Sequence, residues 1–204
     1  MAHGALGNPG PLLLARRLAE SAVEDFWDAE SGTFRDTSNE HDRTVAQPRG
    51  MVDNATPAAN SLAADVLQRM ALLTGEVSYA RRADAILRAI APALDRQPSA
   101  FGRMLAAADR RLGEPIDVVV AAVTPGDGLA LRRAASRPYV PDLVLTSVAP
   151  GDPQASWPLY VRKEPREGRA TAFACRGYAC DEPTHDAGRL AEQVVALSPA
   201  QPGR

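Results

Sequence analysis

The sequence predicts a mainly α-helical protein that carries a small α/β unit. In the first half of the chain, apolar residues recur every three or four positions, as they do on one face of a helix. In the second half, short β-branched runs bounded by Pro and Gly alternate with helical segments. This change of period divides the chain into a helical region, 11–114, and an α/β region, 115–197. Residues 1–10 and 198–204 lack periodicity and are predicted to be flexible tails.

Four helices are predicted in the helical region. The first starts at Pro11, the third carries an apolar stripe from Tyr79 to Leu94, and the fourth runs from about Ser99 to Leu112. The second helix begins near Pro57, with Asn54 or Thr56 as the predicted cap, and it ends at Gly75. Its apolar stripe is Leu62, Val66, Met70 and Leu73. The short connection at Gly75 predicts that the second and third helices are antiparallel neighbours.

Three strands and two helices are predicted in the α/β region. Strands are predicted at residues 116–121, 143–148 and 170–175, with a helix at 125–136 between the first two. A helix between consecutive strands favours a parallel, right-handed crossover, so a short, mostly parallel sheet is expected. A last helix, capped by Thr184 or Asp186, closes the region.

The composition limits the function classes. A net charge of −2 gives no basic surface for nucleic acid. No apolar stretch is long enough to span a membrane, and the N-terminus is not a signal peptide, so a cytoplasmic protein is predicted. Two cysteines are too few for a disulfide framework and suit a reducing compartment. The residue patterns predict no metal and no cofactor.

Three motifs occur in a characteristic order: FWDAESGTF at 26–34, VDNATPAANSLAADVLQRMALLTG at 52–75, and Cys-Arg-x-x-x-Cys at 175–180. In this order they resemble the C-terminal part of the thioredoxin domain-containing proteins of the spermatogenesis-associated protein 20 type. The matching positions of the second motif are Asp53, Ala55, Pro57, Asn60, Ser61, Leu72, Thr74 and Gly75. The chain departs from this pattern at Ala58, where the family usually has serine.

The resemblance implies an architecture and a class of function. Such proteins carry an N-terminal thioredoxin-like domain followed by an (α/α)6 toroid similar to that of N-acylglucosamine 2-epimerases and six-hairpin glycosidases. The helices of the present chain would form the end of this toroid, which implies a C-terminal fragment of a longer protein. The implied function is unsettled and carbohydrate-related.

The polar residues of the second motif form the first candidate site. At a toroid mouth, Asp53 could act as a catalytic carboxylate, and Asn54 and Asn60 could bind sugar hydroxyls. A carboxylate at a helix N-terminus is stabilised as an anion, which suits a base or nucleophile. The same residue types also cap helices, and the sequence leaves both interpretations open.

The first motif offers a second candidate site. Trp27 and Phe34 could stack on a sugar ring beside the carboxylates of Asp28 and Glu30. Two carboxylates suit glycoside chemistry at the right separation, which the sequence does not give. The alternative is a turn whose two aromatic residues fill the core of the helical hairpin.

The cysteines form a third candidate. Cys175 and Cys180 have neither the spacing of a redox C-x-x-C motif nor that of a zinc knuckle. The spacing favours one buried strand cysteine and one turn cysteine, with thiol chemistry as the alternative.

No self-sufficient catalytic motif occurs, so whether the chain is an enzyme is left open. The leading prediction is a carbohydrate-related toroid segment with a sugar ligand. The alternatives are a non-catalytic helical interaction module, which would self-associate through helix faces that truncation leaves uncovered, and a thiol or redox protein.

Overall fold

The computed structural model describes residues 7–38 and 48–197. Residues 1–6 of the tail predicted at 1–10, the whole tail predicted at 198–204, and residues 39–47 lie outside the described residues. The chain divides into two compact units. One comprises residues 15–113 and is helical, and the other comprises residues 114–197 together with 7–14 and is α/β.

Helices and strands lie close to the predicted positions. The helices of the described chain are α1 (Gly10–Phe26), α2 (Ala59–Thr74), α3 (Val77–Arg96), α4 (Gly102–Leu112), α5 (Leu129–Ser136) and α6 (Ala187–Leu197). The strands are β1 (Trp27–Asp28), β2 (Thr33–Phe34), β3 (Ile116–Ala121), β4 (Leu143–Val148), β5 (Thr171–Arg176) and β6 (Ala179–Cys180). The sequence predicts β3, β4 and β5 as strands and 33–35 as a short strand or extended segment, whereas β1 and β6 were not predicted.

In the helical unit, α2 and α3 form the predicted hairpin. Gly75 ends α2 in the left-handed conformation (φ 73°), and its N–H donates to the Ala71 carbonyl. The predicted apolar stripe of α2 is half wrong, because Leu62 and Val66 are exposed. Both α3 and α4 pack on α2. The buried face of α2 is therefore turned toward these two helices and includes polar residues at 60, 61 and 65.

A two-stranded antiparallel ribbon follows α1. Trp27 pairs with Phe34, and Asp28 pairs with Thr33. Phe34 and Thr33 are buried. The residues between Asp28 and Thr33 therefore form the tip of this ribbon, and Gly32 adopts a positive φ of 68° there.

The sheet of the α/β unit has the strand order β4-β3-β5-β6. β3 and β4 are parallel, as the helix between them predicts, but β5 pairs antiparallel with β3, and β6 antiparallel with β5. The expectation of a mostly parallel sheet is therefore wrong, and the sheet is mixed. The segment between β4 and β5 forms only short 3₁₀ turns, at Pro153–Ser156 and Pro158–Tyr160, rather than a crossover helix.

The two faces of this sheet have different surroundings. One face packs on α5 and α6 through an apolar cluster that includes Val118, Val120, Leu131, Leu190 and Val194. The opposite face carries polar side chains and is covered by the 3₁₀ segment. There the Tyr160 hydroxyl lies 2.6 Å from the Thr146 hydroxyl. Because strand side chains alternate, Asp117 points to this second face.

In the part of the chain that the structure describes, none of the helices has the length and apolar character that crossing a membrane requires.

Candidate functional site

The carboxylate of Asp53 binds the ends of two helices. Its Oδ1 accepts a hydrogen bond from the N–H of Ala58, the residue that precedes α2, at 2.8 Å. Its Oδ2 accepts from the N–H groups of Arg103 and Met104, in the first turn of α4, at 2.8 and 3.1 Å. Asp53 therefore satisfies backbone donors that a helix leaves free at its N-terminus.

These contacts determine the protonation state of Asp53. Partial burial raises the pKa of the carboxyl, but the N–H donors of Ala58, Met104 and Arg103 outweigh it, and the net pKa is lowered. A carboxylate in this state is a poor general acid, and its oxygens already hold protein donors. The prediction that Asn54 or Thr56 caps α2 is wrong. The N-cap residue is Ala58, which has no capping side chain, and its N–H donates to Asp53.

Asn60 is fully buried, and its side-chain amide pairs with the backbone N–H and carbonyl of one residue, as a neighbouring strand would. Its Oδ1 accepts from the Phe34 N–H at 2.8 Å, and its Nδ2 donates to the Phe34 carbonyl at 3.0 Å. Nδ2 also donates to the Gly50 carbonyl at 3.2 Å. Asn60 thus fastens β2 and the loop at Gly50 to the start of α2. Asn54 lies at the surface, and its N–H donates to the Thr56 carbonyl.

The aromatic pair of the first motif is in contact. The rings of Trp27 and Phe34 meet edge to face with centroids 5.1 Å apart. The Arg82 guanidinium lies 5.7 Å from the Trp27 ring centroid, within cation–π range. The structure therefore brings Trp27, Phe34 and Asn60 together, whereas the carboxylate of Asp53 is directed to α2 and α4.

Asp28 is a buried hub of the ribbon. It accepts from the Ser31 hydroxyl at 2.8 Å and pairs with Arg35 at 3.0 Å and with Arg49. The Ser31 hydrogen bond, with further donors that include Arg35, lowers the pKa of Asp28 against the opposing effect of burial. Glu30 is exposed, and its N–H donates to Asp28 Oδ1. Asp28 is thus an ionised carboxylate that holds the turn.

A third buried carboxylate, Asp65, was not predicted from the sequence. It pairs with Arg69 on the same helix at 3.1 Å, and with Arg103 and with Arg110 (2.9 Å) on α4. Burial raises the pKa of Asp65, and the three guanidinium groups lower it further than that. The Arg69 partner is readable as a helical i,i+4 pair. The Arg103 and Arg110 partners depend on the packing of α4.

An apolar groove of about 490 Å³ lies between α1, β2 and α2. Its lining includes Ala19, Ala22 and Phe26 of α1, and Ala59, Ala63 and Val66 of α2. Val66 is 42% exposed, and one further apolar side chain is exposed on each helix: Leu18 of α1 at 61% and Leu62 of α2 at 43%. The sequence predicted uncovered helix faces, but it could not show that two of them form one groove.

The cysteines are joined. Cys175 and Cys180 form a disulfide bond with Cα atoms 3.9 Å apart. Cys175 is a buried strand cysteine, as predicted, whereas the prediction of a turn cysteine is wrong for Cys180, which lies on β6. The sequence reading missed β6, the short strand that places Cys180 directly opposite Cys175.

Within 7–38 and 48–197, no three His, Cys, Asp or Glu side chains group closely enough to hold an ion.

Comparison with known proteins gives one consistent relation. No protein-family model matches the chain. Human spermatogenesis-associated protein 20 is 27% identical over 180 residues, which cover 84% of this chain and 22% of the human protein. The rat protein of the same name is 27% identical over 178 residues, with the same coverage. The chain is thus related to spermatogenesis-associated protein 20, and it spans about a fifth of the length of these relatives.

Proposed function

We propose that the helical unit is a non-catalytic docking module whose groove between α1 and α2 binds an amphipathic helix of another polypeptide. The observation that carries the proposal is the groove itself, an apolar channel that Val66 lines, with Leu18 and Leu62 exposed on the same two helices. Contiguous exposed apolar surface of this kind is typical of interaction sites.

The shape and lining of the groove favour a helix as the occupant. Alanine side chains of α1 and α2 line its walls, so the backbone of a third helix can approach to the usual interaxial distance of about 8–10 Å. Leu62 and Val66 lie four residues apart on one face of α2, the spacing at which apolar residues of a partner helix would meet them. Large apolar side chains of the partner would fill the space that the alanines leave.

The polar candidates support the same conclusion. Asp53, Asn60, Asp28 and Asp65 have their hydrogen-bonding groups directed at other parts of the unit. Side chains used in this way position helices and strands against one another. The helical unit therefore offers the groove, rather than these polar side chains, as its binding surface.

The test uses a labelled, leucine-rich amphipathic peptide of about 18 residues with mixed Lys and Glu on its polar face. We expect the protein to bind it and to raise its fluorescence anisotropy, and Val66→Glu to weaken binding at least tenfold because it places a charge in the groove. The matched control is Val77→Glu on α3, another exposed valine outside the groove lining.

Equal weakening by Val66→Glu and Val77→Glu would contradict the groove as the binding site. Size-exclusion chromatography with light scattering gives the second readout. A dimer that Val66→Glu dissolves and Val77→Glu does not would identify a second copy as the occupant. A monomeric protein that binds neither the peptide nor an apolar dye would contradict the proposal.

Carbohydrate binding is a second proposal, supported by the resemblance and by one local feature. Trp27 is only half-buried and stands among charged groups, Asp28, Arg35 and Arg82, which is a common setting for a sugar platform. In this proposal Phe34 and Asn60 hold Trp27 in place, Asn54 offers an exposed amide, and Asp53 orients the loop or acts on the sugar.

A thermal-shift panel of mono- and disaccharides tests it. A sugar-dependent rise in Tm that Trp27→Phe reduces and Trp157→Phe leaves unchanged would support it. Loss of the shift in Asp53→Asn would add Asp53 to the site. The absence of a shift with any sugar at millimolar concentration would count against this function without affecting the docking proposal.

A further inference from the structure

The disulfide lies on a tight hairpin at the edge of the sheet. Gly177 (φ 55°) and Tyr178 (φ 68°) form a two-residue turn with positive φ at both central positions, the type I′ arrangement. The turn aligns Cys175 with Cys180 as direct cross-strand partners. Neighbours in such a pair have closely spaced Cβ atoms, which brings the two sulfurs within reach of each other.

The two sulfurs have unequal environments. Cys175 belongs to β5 and is 1% exposed, whereas Cys180 belongs to the exposed two-residue strand β6. The bond closes a loop with a sequence separation of only five residues, within a hairpin that the turn already forms. A link of this kind restricts the unfolded chain much less than a long-range one, so stability alone is a weak reason for it.

A buried ion pair lies next to the inner sulfur. Asp117 is the register partner of Cys175 on the neighbouring strand β3, and its side chain therefore lies on the same face of the sheet. The Lys163 Nζ, in the segment between β4 and β5, donates to Asp117 Oδ2 at 3.0 Å. Both groups are nearly inaccessible, with side chains 2% and 12% exposed.

We infer that Cys175 and Cys180 form a thiol–disulfide exchange site, in which an incoming thiol attacks Cys180 and the Lys163–Asp117 pair supplies the proton that Cys175 takes up as it leaves. The substrate class is an accessible thiol, on a small molecule or on a protein surface. The unequal exposure of the two sulfurs fixes the direction of attack, because only Cys180 lies at the surface.

The exchange balances as two steps. A thiolate RS⁻ forms a bond to the Cys180 sulfur, the Cys175–Cys180 bond breaks, and Cys175 leaves with the electron pair and takes a proton from the Lys163–Asp117 pair. A second RS⁻ then attacks the sulfur of the R–S–Cys180 mixed disulfide and forms RSSR, and Cys180 leaves as a thiolate that water protonates. Water then returns a proton to the Lys163–Asp117 pair, so the protein gains two electrons and two protons in total, and two thiolates are oxidised to one disulfide.

Glutathione is the probe: reduced glutathione is the attacking thiol, and oxidised glutathione is the disulfide product. The intact protein is equilibrated with glutathione buffers of graded ratio, quenched with iodoacetamide and weighed by mass spectrometry. We expect a reversible gain of two alkylated thiols within the range of these buffers. A pair that stays oxidised in excess reduced glutathione, or two thiols that never join in oxidised glutathione, would overturn the inference.

Two single-cysteine variants test the direction of attack. Cys175→Ser should form a mixed disulfide between Cys180 and glutathione rapidly, whereas Cys180→Ser should react at least tenfold more slowly because Cys175 is buried. Equal rates contradict the assignment. A peptide with one cysteine, used in parallel, distinguishes a small-molecule thiol from a protein thiol as the faster substrate.

Asp117→Asn tests the proton source, with Glu192→Gln on the exposed surface of α6 as the control. We expect a rate of reduction about tenfold lower in Asp117→Asn and a changed pH profile, with the control unchanged. An unchanged rate and pH profile in a folded Asp117→Asn protein would remove the pair from the site. If Asp117→Asn does not fold, the pH profile of the unmodified protein tests the same step, and a flat profile below pH 8, once corrected for glutathione ionisation, contradicts it.

Discussion

The two units of the chain use buried carboxylates in opposite ways. In the helical unit, Asp53 and Asp65 each hold several donors, and their pKa values are lowered. In the α/β unit, Asp117 is bound by Lys163, and burial dominates and raises its pKa. The difference follows from what surrounds each residue: free N–H groups near helix termini bind Asp53, three guanidinium groups bind Asp65, and Asp117 has the single cation Lys163 in a sheet interior.

By this contrast, Asp53 and Asp65 stabilise the fold, whereas Asp117 is a buried charge that the fold does not require. Asp53 supplies acceptors to N–H groups that have no partner within their own helix. Asp117 lies on β3, whose backbone already pairs with β4 and β5 on its two sides. A costly buried charge that the backbone does not require is a common mark of a functional position.

The largest expected effect is that of Asp53→Ala. Loss of three charge-assisted hydrogen bonds should lower the free energy of unfolding of the helical unit by about 3 kcal/mol. Trp27 lies in the helical unit and Trp157 in the α/β unit, so urea unfolding followed by Trp27 fluorescence in a Trp157→Phe background reports on the right unit. Asp95→Ala, at an exposed site on α3, is the control and should change stability by less than about 0.5 kcal/mol. A loss below about 1 kcal/mol in Asp53→Ala would show that the contacts of Asp53 are not structural.

The next effect is that of the buried pair in the α/β unit. Lys163→Met leaves Asp117 without its partner and should cost about 2 kcal/mol at pH 8, followed by Trp157 fluorescence. The double variant Asp117→Val with Lys163→Met should return to within about 1 kcal/mol of the original stability, because neither charge then has to be buried. A double variant as unstable as the single one would place Asp117 among the residues that build the fold.

A smaller effect is expected from pH, with opposite signs in the two units. The pKa values of Asp53 and Asp65 are lower in the folded protein than in the unfolded chain. The two carboxylates therefore stabilise the helical unit fully above the unfolded pKa of about 3.9, and this stabilisation is lost as the pH falls through their folded pKa values. The pKa of Asp117 is raised, so the folded α/β unit binds more protons than the unfolded one, and stability falls as the pH rises above about 4 through the folded value. Urea midpoints recorded by each tryptophan between pH 3 and pH 7 check this, and parallel pH responses would contradict it.

The smallest effect is expected at the surface, and it should not distinguish the units. Arg88→Met removes a 3.7 Å pair with Asp84 on α3, and Arg189→Met removes a 2.5 Å pair with Glu182 in the α/β unit. Both arginines are at least half exposed, so each loss should be below about 0.5 kcal/mol. A loss above about 1 kcal/mol at either arginine would show that exposed pairs also contribute to the contrast.

Much of the secondary structure was readable from local pattern, and most of the site was not. Gly75 and Asp186 are local signals, and both act as predicted: Gly75 ends α2, and Asp186 accepts from the Arg189 N–H at the start of α6. Leu62 and Val66 follow a helical stripe but are exposed, because the positions of α3 and α4 decide which side of α2 is buried. The donors to Asp53 come from residues up to 51 positions away, so no local pattern could identify them.

The sequence by itself determined where the helices and the three longer strands lie, because periodicity, proline and glycine act over a few residues. It also determined the relation to spermatogenesis-associated protein 20, through three motifs in order. Only the tertiary structure decided the rest: that the sheet is mixed, that Asp53 serves two helices, that α1 and α2 enclose a groove, and that Cys175 meets Cys180 beside Asp117. Each of these depends on contacts between segments distant in sequence or on strand register, which packing sets and local propensity does not.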